Sequence, residues 1–76
     1  MGPFDRITIN PTICGGQPTV RGLRIQVGLI VRHIAQGERP EDVVREYPEL
    51  DVEDVRQALM FAAWLASGRS EAVPTT

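Results

Sequence analysis

A mainly α fold, a tri-helical bundle carrying a short N-terminal β-ribbon, is predicted by three features of this chain. Apolar residues recur at helical spacing in Val27, Ile30, Val31 and Ile34, and again along residues 52–66. Gly37, Pro40, Pro48 and Asp51 are stop and start signals that divide this stretch into three helices. Ahead of them, Arg6-Ile7-Thr8-Ile9 alternates polar and apolar residues as a strand does.

The ribbon comes first. Asn10-Pro11 ends the first strand, Cys14-Gly15-Gly16-Gln17-Pro18 reads as a turn, and Thr19-Val20 returns as a second strand. Two strands this short are unstable alone in water, so they must lie on the helices or on a second chain. The first helix runs from Val27 to Gln36, with Gly37 as its stop. Pro40 suits the opening position of the second, where Glu41 and Asp42 complement the helix dipole. Val43, Val44 and Tyr47 form its inward face, and Pro48 ends it. Asp51 is a good N-cap for the third, with Asp54 three residues on as a variant capping box. That helix extends from Val52 to Ala66.

The third helix has an unusual distribution of side chains. Val52, Val55, Leu59, Ala62, Ala63 and Ala66 share one face and are expected to pack on the other helices. The opposite face begins polar, with Glu53, Asp54 and Gln57, and then turns apolar with Met60, Phe61, Trp64 and Leu65. From Leu59 to Ala66 every residue is apolar, so this half needs cover on two sides. The cover is either the N-terminal ribbon or a second chain. Size favours the second chain, because a domain this small hides only about 60% of its unfolded surface. Met60, Phe61, Trp64 and Leu65 are therefore the expected oligomer interface, in a homodimer.

The 76 residues allow one domain, over residues 1–66, with residues 67–76 as a loose tail. A single cysteine, Cys14, excludes an internal disulfide, and with His33 as the one histidine there is no Cys/His zinc cluster. No metal or cofactor is expected. The acids read as helix caps and solvated faces; neighbours such as Glu41 and Asp42 do not face each other on a helix. The net charge of -2 conceals a division. Residues 1–36 hold four arginines against Asp5, whereas residues 37–76 hold four arginines against nine acids. Such asymmetry favours contacts guided by charge. No apolar run reaches membrane-span length, and Met1-Gly2-Pro3-Phe4 does not begin a signal peptide, so a cytoplasmic location is expected.

Catalytic signals are thin. Cys14 in its glycine turn lacks a recognisable base and oxyanion site, and reads as a small buried hydrophobe. Gly15-Gly16 leads into extended chain at Gln17-Pro18, whereas a phosphate loop opens a helix. The last two helices have helix-turn-helix topology, which in DNA-binding domains sends the final helix into the major groove. Here that helix begins Asp51, Glu53, Asp54, a sequence that phosphates repel. DNA contact would fall to Arg56 and Gln57 and to a basic N-terminal arm of Arg6, Arg21 and Arg24.

Arg6-Ile7, Asn10-Pro11, Cys14-Gly15-Gly16-Gln17-Pro18, Arg21-Gly22-Leu23-Arg24-Ile25, Val27, Gly37, Tyr47-Pro48, Leu50, Val55 and Ala58-Leu59 together resemble the antitoxin-like family of unknown function numbered 433. The most specific part is Gly-x-Pro followed by Arg-Gly-x-Arg-Ile. The resemblance runs from Arg6 to Ala63. It implies a homeodomain-like fold and, because members are commonly encoded beside PIN-like nucleases, the antitoxin half of a toxin–antitoxin pair. The chain departs from the family at Leu23, where threonine is usual, at Gln17, often lysine, and at Arg39, where serine or threonine caps the second helix. Losing that cap costs about 1 kcal/mol. The leading expectation is thus a non-enzymatic, dimeric module that neutralises a PIN-like nuclease toxin. Arg21 and Arg24, then Arg69, are the candidates to enter the toxin's carboxylate cluster. The alternative is a DNA-binding autoregulator of its own operator.

Overall fold

The computed structural model describes residues 4–67. Arg69 and most of the expected tail lie outside them. The elements in order are β1 (Ile7–Thr8), β2 (Thr19–Val20), α1 (Val27–Ala35), α2 (Pro40–Glu46) and α3 (Val52–Ala66). The chain is a three-helix fold with a small antiparallel two-stranded sheet. Among the described residues no helix is long and apolar enough to cross a membrane.

The strands pair with Ile7 opposite Val20 and Thr8 opposite Thr19, so the two threonine hydroxyls meet at 3.2 Å. A further bridge joins Thr19 to Gln26, a feature that the sequence pattern does not announce. It closes through a tight turn in which Arg21 and Gly22 have φ of 50° and 74°, with the Leu23 N–H on the Val20 carbonyl at 2.8 Å. Two successive left-handed residues are what a hairpin turn of the primed type needs. Glycine adopts this readily; arginine does not, and Arg21 is held there by contacts described below.

The helix ends follow the capping signals. Beyond α1, Gly37 takes φ of 100° and its N–H reaches the Ile34 carbonyl at 3.0 Å. At α2, the Asp42 carboxylate accepts the Arg39 N–H at 2.9 Å, but a guanidinium has no acceptor with which to cap in return. At α3 the reciprocal box forms in full. Asp51 accepts the Asp54 N–H, and Asp54 accepts the Asp51 N–H, both at 2.9 Å.

The core joins Ile7 and Val20 of the ribbon to Ile25, Val27 and Ile30 around α1, Val43 and Leu50 around α2, and Val55, Ala58 and Phe61 of α3. The ribbon thus finds its support on its own helices. The inward stripe of α3 differs from the expected one. Val52 is 51% exposed, and Ala63 and Ala66 are also exposed. Phe61, expected in an oligomer interface, is instead a core residue, 6% exposed. Phe4 covers it edge to face, with ring centroids 5.3 Å apart, and also meets Trp64 at 5.6 Å. The N-terminal segment therefore supplies part of the second cover that α3 requires. Met60, Trp64 and Leu65 stay partly exposed, each by about two-fifths.

Candidate functional site

The basic residues divide into two groups with different environments. Asp54, placed at the start of α3 by its capping role, is fully buried. Arg21 grips it with two bonds, Nε to Oδ1 at 3.0 Å and Nη2 to Oδ2 at 2.8 Å. Arg6 Nη1 reaches Asp54 Oδ1 at 3.1 Å and Asp51 Oδ1 at 2.6 Å. Arg21 also donates to the Glu49 carbonyl at 2.7 Å, and its own N–H bonds the Arg6 carbonyl at 2.7 Å. Burial by itself would raise the Asp54 carboxyl. The hydrogen bonds from Arg21, the Asp51 backbone and Arg6 outweigh it and hold the group below its ordinary value. Both arginines are in turn pushed upward, chiefly by hydrogen bonding to Asp54.

Gln57, one turn on, extends this network. It is buried; its Oε1 accepts the Arg6 N–H at 3.0 Å, and its Nε2 donates to Asp5 and Glu53 at 3.0 Å each. Arg56 is clamped in parallel on Glu53, at 2.8 and 2.7 Å, and this hydrogen bonding holds the Glu53 carboxyl at about 2. These contacts show where the expected site residues sit. Arg6, Arg21, Arg56 and Gln57 were candidates for DNA contact, and Arg21 also for toxin contact; each makes side-chain hydrogen bonds within the chain. Arg6, Arg21 and Gln57 fasten the ribbon to α3, whereas Arg56 bonds within α3.

Arg24 has a different environment. Among the described residues, Arg24 and Arg32 make no ion pair, whereas Arg6, Arg21, Arg39, Arg45 and Arg56 all do. Arg24 and Arg32 line one shallow depression with Gln26 and Leu29. Gln26 also lines a larger, mainly apolar groove of about 460 Å³. That groove runs between the start of α1, at Val27, Gly28 and Val31, and the end of α3, at Ala62, Leu65 and Ala66. Two cations without an ionic partner among the described residues thus adjoin an apolar groove. Arg32 was not among the expected residues; its position on α1, eight residues after Arg24, was the available signal. Leu65, expected in an interface, is on the groove wall. Arg69 lies outside the described residues.

Cys14 is partly buried in its turn, where Cys14, Gly15 and Gly16 all have positive φ. His33 is engaged elsewhere. Its Nδ1 lies 2.8 Å from Glu38 Oε2, and its ring stands edge to face on Tyr47.

Fold and surface define a small three-helix module with a stapled ribbon and an arginine-flanked apolar groove. The chain belongs to the DUF433 family, described as proteins of unknown function, whose model matches residues 7–62. It is 38% identical over 56 residues to the uncharacterized protein y4eO of Sinorhizobium fredii, a match that takes in 74% of this chain and 25% of that protein. It therefore spans about a quarter of the length of that relative. The crystal structure of a DUF433 member from Anabaena variabilis superposes with a TM-score of 0.77 at 31% identity, over 86% of this chain and 64% of the other.

Proposed function

We propose that this chain is a non-enzymatic, antitoxin-like binding module that neutralises a cognate PIN-like nuclease through the face formed by Arg24, Arg32 and the adjoining groove. The observation that carries this reading is the pairing of two arginines lacking ionic partners with an apolar groove through the shared residue Gln26. A metal-binding carboxylate cluster in a nuclease is a natural target for a guanidinium, which offers planar, bidentate, charge-assisted hydrogen bonds. The apolar groove supplies the desolvated contact area that an exposed charge pair lacks. The tri-helical arrangement is read here as homeodomain-like.

The same reading includes a homodimer. Met60 and Trp64, one turn apart on α3, leave apolar surface exposed beside Leu65, and a second copy would cover it. DNA binding draws less support, because Arg6, Arg21, Arg56 and Gln57 already have partners within the chain.

The test is co-purification with the product of the adjacent gene, which this reading expects to be a PIN-like nuclease, and inhibition of its activity. A stable complex in which nuclease activity is lost is expected. Absence of a complex, with nuclease activity unchanged on adding this chain, would overturn the proposal.

A further inference from the structure

At the end of α1 remote from Arg24, three side chains of metal-ligating type converge. His33 occupies the last turn of α1. Glu38 follows the Gly37 stop, and Glu46 ends α2. His33 Nδ1 lies 2.8 Å from Glu38 Oε2 and 3.9 Å from Glu46 Oε1, and the three ligand atoms all lie within 4.8 Å of one another. Ligands held about 2.1 Å from a tetrahedral ion stand about 3.4 Å apart, so the 2.8 and 3.9 Å separations fall on either side of that spacing. Small rotations of two glutamates, both attached near helix ends, would close the set.

Two further observations bear on what the cluster would hold. The first is charge. Two carboxylates face one imidazole nitrogen, and among the described residues neither has an arginine partner. Arg39 and Arg45, their neighbours in sequence, both turn to Asp42 instead, at 3.6 and 3.0 Å. A bound cation would complement the two carboxylates. The second is the far side of the ring. His33 Nε2 lies 3.5 Å from the Tyr47 hydroxyl, so a ring bound through Nδ1 would present its remaining N–H to an oxygen. That is the outer-shell arrangement that orients ligating histidines. Glu38 and Glu46 also line a surface depression together with Asp42 and Arg45, the Arg45 guanidinium being engaged by Asp42 at 3.0 Å.

We propose that His33 Nδ1 with the carboxylates of Glu38 and Glu46 forms a three-ligand site for a divalent transition ion of the zinc class. A mixed imidazole and carboxylate set suits zinc, cobalt or nickel better than calcium or magnesium. Three protein ligands leave a position for water. Because the ligands come from α1, the loop and α2, the ion would tie the two helices together and couple its binding to folding. The proposal does not rest on nuclease binding: Arg32 of the proposed binding face neighbours His33 in the last turn of α1, but it is no ligand of the cluster.

The experiment is calorimetric titration of the metal-free 76-residue chain with zinc chloride, repeated with cobalt to read the ligand field. One ion per chain and a raised melting midpoint are expected. Glu46→Gln and Glu38→Gln should each weaken binding by roughly tenfold or more, as loss of a ligand does. Glu41→Gln and Cys14→Ser, outside the cluster, should leave binding unchanged. Nitrogen chemical shifts of His33 should report metal at Nδ1. Since His33 packs on Tyr47 and its replacement could unfold the chain, the decision rests on Glu46, a more exposed residue. No binding at millimolar zinc, or binding that Glu46→Gln leaves intact, overturns the site.

Discussion

The two halves of α3 invert the usual relation between polarity and exposure. The amino half carries Asp54 and Gln57, both polar and both buried. The carboxyl half carries Met60, Trp64 and Leu65, all apolar and all partly exposed. In the first half every polar group has a partner, and no buried side-chain polar atom among the described residues lacks one. In the second half the apolar surface is only partly covered, by Phe4. The contrast teaches that charge alone does not identify a binding surface. Arg21 and Arg6 are charged and structural, whereas Arg24 and Arg32 are charged and have no ionic partner among the described residues.

The largest way to break this comparison is within the apolar half. Phe61→Ala removes a buried ring that Phe4 covers, and thermal unfolding should show a loss of about 4 kcal/mol. Trp64→Ala, three residues on and about two-fifths exposed, should cost about 1 kcal/mol while reducing self-association in sedimentation. Equal losses at the two positions would remove the distinction between core and edge.

Next is the polar half. Asp54→Ala leaves two guanidinium groups without their shared carboxylate and removes half of the capping box. A loss of about 3 kcal/mol is expected from chemical denaturation, as for other broken buried pairs. Arg24→Ala and Arg32→Ala should each stay within about 0.5 kcal/mol of the parent, the range for surface positions without partners.

Acid offers a smaller and graded test. Asp54 and Glu53 are both held below their ordinary values of 3.8 and 4.5 in the folded chain, Glu53 at about 2. A carboxylate lowered on folding stabilises above its unfolded value, and that contribution disappears as pH falls through the folded value. Stability should therefore hold down to about pH 5 and decline across the range from 4.5 toward 2. Asp54→Asn should flatten part of that decline, measured as melting midpoint against pH.

Local features of the fold were legible in the sequence, and long-range ones were not. The bounds of α3, the Asp51–Asp54 box and the Gly37 stop follow from chemistry within a few residues. The pairing of Ile7–Thr8 with Thr19–Val20 was legible from alternation across a glycine turn. The burial of Asp54 was not, because its partners Arg21 and Arg6 lie 33 and 48 residues away in sequence. A capping aspartate on a polar stripe looks solvated until a ribbon docks on it. Phe61 was assigned to an outward face for the same reason: the segment that covers it, Phe4, lies at the other end of the chain. The convergence of His33 with Glu38 and Glu46 was hidden in a sequence that looked too poor in histidine and cysteine for a metal. It needs the α1–α2 turn to form. Of the arginines expected to meet a partner, Arg24 alone keeps a free guanidinium among the described residues, and Arg32 joins it.

The central claim is that partner binding resides in Arg24 and Arg32 and folding in Arg6 and Arg21. The most direct test compares the Arg24→Glu/Arg32→Glu double variant with the parent chain, by titration into the purified product of the adjacent gene, which the proposal expects to be a PIN-like nuclease, and by melting of each chain alone. The account predicts that nuclease affinity falls by more than tenfold while the melting midpoint stays where it was. Unchanged affinity in a folded double variant would contradict it.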